Sequence, residues 1–143
     1  AVGRKTTQSS TPSTNTMAEQ GVDGLSTNNQ LTNSELKAWW QVDLGSVREI
    51  SSVSLFGATP NFYLLVSDDP MTGTLDQILL QSAVKAYFYP TVPAITGAPI
   101  HLPGRYVRVQ LTGTGNLHMN EVQVWGQQPT LMPLSRPAAT PDR

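Results

Sequence analysis

The run Trp39-Trp40-Gln41-Val42-Asp43-Leu44-Gly45 decides how the rest of the chain is read. It alternates as a strand does: Trp40, Val42 and Leu44 share one face, Trp39, Gln41 and Asp43 the other. Adjacent tryptophans put a large ring on each face, so this strand cannot lie on a bare polar surface. Gly45 closes the run and permits a turn. The apolar face reads as core. Trp39, at the strand's entrance, reads either as a second core anchor or as a platform beside a loop, burial being the commoner use of so large a ring.

Outward from this strand the same period recurs. Tyr106-Val107-Arg108-Val109-Gln110-Leu111 turns Val107, Val109 and Leu111 inward, and Glu121-Val122-Gln123-Val124-Trp125 turns Val122 and Val124 inward. Ile50-Ser51-Ser52-Val53-Ser54-Leu55-Phe56 is another strand, broken off by Gly57 and Pro60. Phe62-Tyr63-Leu64-Leu65-Val66 is apolar on both faces, the mark of a central strand, and stops at the turn Ser67-Asp68-Asp69-Pro70. Residues 75–80 fit a short strand or a helical turn equally well. Residues 85–99, with Tyr87, Phe88, Tyr89, Pro90, Pro93 and Pro99, read as edge strand and loop.

The N-terminal stretch 3–16 is polar and Thr-rich, an extended edge strand and loop, since β-branched residues and Pro12 disfavour a helix. Met17-Ala18-Glu19-Gln20 suits one helical turn. Residues 25–37 show no periodicity, and a loop of that length in a compact domain is usually functional or held by an ion. About eight short strands at turn-punctuated spacing give an all-β chain, an antiparallel sandwich or jelly roll.

With 143 residues, the chain holds one domain able to bury about two thirds of its unfolded surface. The sandwich is expected over 1–126. Residues 127–143 carry four prolines and no periodicity, the composition of a linker or tail, suited to packing against a neighbouring domain. A net charge of −1 without a basic run lacks the footprint of a nucleic-acid binder. No apolar run nears the roughly 18 residues that span a bilayer, and Ala1 opens no signal peptide, so the chain reads as a mature or excised fragment. Having no cysteine excludes disulfides and thiolate metal sites.

Catalytic signatures are missing. His101 and His118 are the only histidines and stand in no metalloprotease spacing; no nucleophile elbow or phosphate loop occurs. Gly113-Thr114-Gly115 is a lone Gly-x-Gly, and Asp68-Asp69 beside Pro70 reads as a turn. The expectation is that this is no enzyme. A metal site has more support: Asp23 sits in a tight Val-Asp-Gly turn before an oxygen-rich, nearly uncharged loop, and Asn120-Glu121 opens the last strand. Hard cations such as calcium take such oxygens.

Taken together, Thr7-Gln8-Ser9-Ser10-Thr11, the segment 18–24, Trp39 to Gly45, Val66-Ser67-Asp68, Gly104-Arg105-Tyr106-Val107-Arg108-Val109 and Glu121-Val122-Gln123-Val124-Trp125-Gly126 resemble the discoidin, or coagulation factor V/VIII C-type, domains. That family includes the family 32 carbohydrate-binding modules and the F-type lectins, and the matching stretches run in its order over residues 3–126. The resemblance implies an eight-stranded antiparallel jelly-roll sandwich with neighbouring termini. It also implies a structural calcium shared by Asp23 and Glu121, with the carbonyls of Gln20, Leu25 and Asn120 and both oxygens of Ser34 completing the shell.

For function, the resemblance implies a non-catalytic, galactose-type glycan-binding module of a larger secreted protein. The contacts would come from the loops before Trp39, at 56–61 and at 113–119: Lys37, Trp39, Asn61, Asn116 and His118. The fucose pattern of the F-type branch needs a histidine before the Trp-Trp pair and arginines after the second strand. This chain has Lys37 and no arginine in 56–61, which speaks against fucose. Two alternatives stand beside the glycan reading. One is a structural or protein-interaction jelly roll. The other is a phospholipid binder with 87–89 and Lys85 as its only membrane-facing candidate.

Overall fold

The computed structural model describes residues 2–25, 27–90 and 95–126; the predicted tail 127–143 and Pro93 lie outside them. Two long strands, β4 (Trp39–Phe56) and β7 (Ile95–Leu111), run antiparallel along most of their length. Both bend midway. In β4 the pairing register shifts between Asp43 and Arg48, where Gly45 takes φ +87°; in β7 the bend is at Gly104. A Cβ on Gly104 would sit 2.6 Å from Val66 Cγ1 and 3.1 Å from Ile50 Cδ1, so only glycine lets the two sheets close here.

The bends divide each long strand between two layers. The first half of β4 pairs with β1 (Lys5–Gln8) and with the second half of β7. That half of β7 continues to β5 (Phe62–Ser67) and then β6 (Val84–Tyr89), which ends the sheet. The second half of β4 lies between the first half of β7 and a strand spanning Glu121–Gly126. Counting halves separately, eight antiparallel strands form a sandwich of five against three, the predicted jelly roll. Trp40, Val42, Phe62, Leu64, Val107, Val109, Val53, Leu55 and Val122 fill the space between the layers and are fully buried. Leu111 joins them at 4 % exposure, so the predicted register of 106–111 holds. Asp43 and Arg105 clasp the two bends together through paired hydrogen bonds of 2.8 and 3.0 Å.

Phe62–Ser67 is apolar on both faces because a second, smaller core covers its outer side. Met71, Leu75 and Ile78 close over Leu65 and Val84. The ambiguous 75–80 region resolves as α1 (Leu75–Leu79), started by a capping box in which Thr74 and Gln77 satisfy each other's backbone N–H groups. The helical turn expected at Met17–Gln20 is present as a 3-10 helix, Ala18–Val22, with Met17 as its N-cap. Pro99, at the end of the stretch read as edge strand and loop, lies within β7 opposite Ser52. That half of β7 is an edge of the three-stranded layer, where a missing N–H costs little.

The 25–37 segment is stitched rather than loose. Its β2 (Gln30–Leu31) and β3 (Glu35–Leu36) pair with short strands of the 113–119 region, namely β8 (Thr114–Gly115) and β9 (His118–Met119). Glu121–Gly126 is accordingly β10. Among the described residues no helix is long and apolar enough to cross a membrane. In the 87–89 segment Phe88 is 49% exposed. Tyr87 and Tyr89 are half-buried toward the core, while Phe88 faces the other way.

Candidate functional site

Two places gather chemistry. The first is the corner where the turn after Ala18–Val22 meets the start of β10. Asp23 ends that turn; its Oδ1 accepts from Leu25 N at 2.9 Å and its Oδ2 from Asn28 Nδ2 at 2.8 Å. Glu121 is 3 % exposed. Its Oε2 accepts from Gly24 N at 3.2 Å, while its Oε1 is buried without a hydrogen-bond partner.

Burial pushes this carboxyl up to about 7, the Gly24 N–H opposes the shift, and the charge and side chain of Asp23 reinforce it. Asn120 reaches from the same corner to the carbonyl of Asn28 at 3.4 Å. Among the described residues no three His, Cys, Asp or Glu side chains cluster. A cation here would therefore rest on two carboxylates and on amide or carbonyl oxygens, the donor set of a hard ion.

Hydrogen bonds join Asp23 to Leu25 and Asn28, Asn28 to Asn120, and Gly24 to Glu121 at this corner, while Gln20 lies in the preceding 3-10 turn. Ser34 is not part of this corner. The register sets Gln30 against Met119 and Glu35 against Gly115, which carries Ser34 along the ladder toward Asn116 and away from Glu121. Asn28 occupies the corner in its stead. An amide in a featureless polar loop gave no signal of this, because its position is set by pairing with β9 and not by local pattern.

The second place is the end of the sandwich where the 31–38, 57–61 and 112–118 segments meet. Thr59 is its hub: its N–H donates to His118 O at 3.0 Å, and its hydroxyl bonds Asn116 O at 3.0 Å and His118 N at 2.9 Å. Thr32 does the same on the other side, accepting from Leu117 N at 2.9 Å and, through its carbonyl, from Asn116 Nδ2 at 3.0 Å. Asn61, exposed and at φ +68°, accepts from Thr112 N at 3.1 Å. His118 Nδ1 lies 2.8 Å from Gly57 O. A carbonyl only accepts, so Nδ1 is the donor in this contact.

Asn61, Asn116 and His118 therefore share this end as the sequence suggests. Lys37 is there by backbone only. Its N–H donates to Gly113 O at 2.8 Å, but its ammonium turns to Asp76 on α1, 3.9 Å away. Trp39 departs from expectation more fully. Its ring lies on the outer face of the five-stranded layer, 4.0 Å from the Arg108 guanidinium. Gln41, Gln110 and the Met71 carbonyl hold Arg108 in place, and burial lowers its pKa to about 10. One face of Trp39 is thus already occupied, inside the sheet's own packing.

No family model and no curated protein matches the chain. Solved structures do. A Streptococcus pneumoniae fucose-binding module is 21% identical, with a TM-score of 0.74 over 90% of this chain and 97% of its own. The lectin domain of lectinolysin, solved with Lewis B antigen, is 25% identical, with a TM-score of 0.70 over 89% and 95%. Chitosan-binding module 1 of a Paenibacillus sp. IK-5 chitosanase/glucanase is 24% identical, also at 0.70, over 88% and 97%. The fold is the discoidin-like, galactose-binding-domain-like sandwich. On this sandwich the Asp23–Glu121 corner and the Thr59 hub are separate sites, joined through the short β2–β9 ladder.

Proposed function

We propose that this chain is a non-catalytic carbohydrate-binding module of an extracellular protein, with its glycan site at the Thr59 end and a structural calcium at the Asp23–Glu121 corner. The observation that carries the glycan reading is the convergence of three separate loops whose backbones are tied to one another. That places Asn61, His118 and Asn116 as polar groups around one end of the sandwich. Structurally similar modules, one described as fucose-binding and others solved with Lewis B antigen and with chitotriose, support a saccharide as ligand. The 56–61 segment has no arginine and the segment before Trp39 no histidine, so a galactose-type sugar fits this end at least as well as fucose.

Calcium suits the corner because Glu121 Oε1 is buried and unsatisfied beside a second carboxylate. Asp23, Glu121 and Asn28 with the carbonyls of Gln20, Leu25 and Asn120 would hold it. When bound, the ion supplies positive charge that ties the 20–28 turn to β10. Chemical-shift titration with galactose, N-acetylgalactosamine, fucose and chitotriose tests the glycan reading. Shifts centred on Asn61, Asn116 and His118 are expected. No response to any of the four would move the assignment to a protein-interaction jelly roll.

A further inference from the structure

The glycan end lacks a stacking ring in its loops. Residues 31–38, 57–61 and 112–118 contain no Phe, Tyr or Trp, and the ring of Trp39 is turned to Arg108 on the outer face. An aromatic face is nevertheless available one strand over. At the last rung of the five-stranded layer, Leu111 pairs with Phe62 and Phe62 with Tyr89. This rung lies directly beneath the loops, since Asn61 precedes Phe62 and Thr112 follows Leu111.

Tyr89 is the final residue of β6, the edge of the layer, and is half-buried. Its ring is backed by the fully buried Phe62 at 5.6 Å between centroids and 31° between planes. The ring is thus held on one side by Phe62 and remains partly exposed at the edge of the layer. Tyr87 shares its face but sits one rung deeper, opposite Leu64, and Phe88 faces the opposite surface against Tyr63.

We infer that Tyr89 is the aromatic platform of the glycan site, stacking on the C–H face of a hexopyranose whose hydroxyls meet Asn61 and His118. The inference rests on the glycan reading of that end and adds the residue that selects for a sugar with an uninterrupted apolar face. A ring held by a buried neighbour loses little freedom on binding, which is why tyrosine serves well at such contacts. It offers a flat apolar surface together with a hydroxyl at the rim.

The test is nuclear magnetic resonance titration with galactose and with chitotriose of the wild type and of Y89A, Y89L, Y89F and F88A. Leucine keeps apolar bulk against Phe62 without a ring face, so Y89L guards against a variant that merely fails to fold. Y89A and Y89L should weaken the bound sugar by about tenfold or more, roughly 1.4 kcal/mol. Y89F should stay within about threefold of the wild type and F88A should match it. Ring protons of the sugar should move upfield on binding to wild type and Y89F, and not with Y89L. A folded Y89L that binds with wild-type affinity and the same sugar shifts overturns the inference while leaving the glycan reading intact. A wild type that binds neither sugar overturns both.

Discussion

A buried carboxylate oxygen without a donor is a debt that something must settle, and in Glu121 the charge itself is the difficulty. Left alone, the group drifts toward its protonated form, hence its rise to about 7. Calcium at a hundred times its dissociation constant would add about 2.7 kcal/mol, on the order of 10 °C in melting temperature for a domain of this size. Calorimetry at neutral pH with excess calcium and with chelator reads this directly. Identical melting in both would remove calcium from the account.

Glu121→Gln should abolish the calcium response and leave the chelated protein at least as stable as the wild type, because an amide no longer buries charge. Asp23→Ala should abolish the response and lower stability as well, since it also unties Leu25 N and Asn28 Nδ2. Both acids could be picked out in the sequence, because carboxylates are scarce and sit at turn and strand boundaries. Asn28 could not, being one of several amides in an aperiodic loop.

Asp43 shows the opposite sign. Its hydrogen bonds from Arg105, partly offset by burial and helped by Gly45 N–H, hold it below the usual carboxylate range. A carboxyl depressed in the folded state contributes stability above its unfolded pKa, near 3.9, and loses it as pH falls through the folded value. Asp43→Asn should therefore melt lower than wild type at pH 7, and the gap should narrow as the pH drops below about 4. A gap that persists unchanged at pH 2 would mean that Arg105 does not rely on the charge of Asp43.

At the scale of elements, alternation was a reliable guide wherever one face meets the core and the other does not. Residues 39–44 and 106–111 are read correctly from period alone, since their inner face is the sandwich interior. Leu111→Ala should cost about 2–5 kcal/mol by chemical denaturation; a cost under about 1 kcal/mol would imply a register one residue off. What alternation does not say is what covers the outer face. Arg108, stacked on Trp39, reaches the Met71 carbonyl in chain that returns from 68–80, a contact between elements distant in sequence.

The bend glycines are equally silent in the pattern, because the need for them arises only when two layers close. Gly104→Ala must displace Val66 and Ile50, an overpacking cost of about 1–3 kcal/mol measurable in the same denaturation experiment. Gly113→Ala, with nothing within 4 Å of its added Cβ, serves as the control.

For the molecule as a whole, the jelly roll brings together loops that are far apart in the chain, and it fixes them by backbone and hydroxyl bonds such as those of Thr32 and Thr59. The sequence names the candidates Asn61, Asn116 and His118, but only the fold shows that Lys37 and Trp39 face elsewhere. On the proposed glycan reading such an end would offer a sugar a few hydrogen bonds and one ring, little beyond the cost of association. A single module should therefore bind with a dissociation constant of about 0.1–1 mM, which is about 4–5.5 kcal/mol. Useful retention on a glycan surface would come from repetition, since joining two modules by a flexible linker turns the second contact into an intramolecular one at millimolar effective concentration. A tandem fusion of residues 1–126 should bind a galactose-bearing or chitosan surface at least about tenfold more tightly than the single module, and free monosaccharide no more tightly. Equal retention of the single and tandem forms would indicate that the glycan is held by something other than this end.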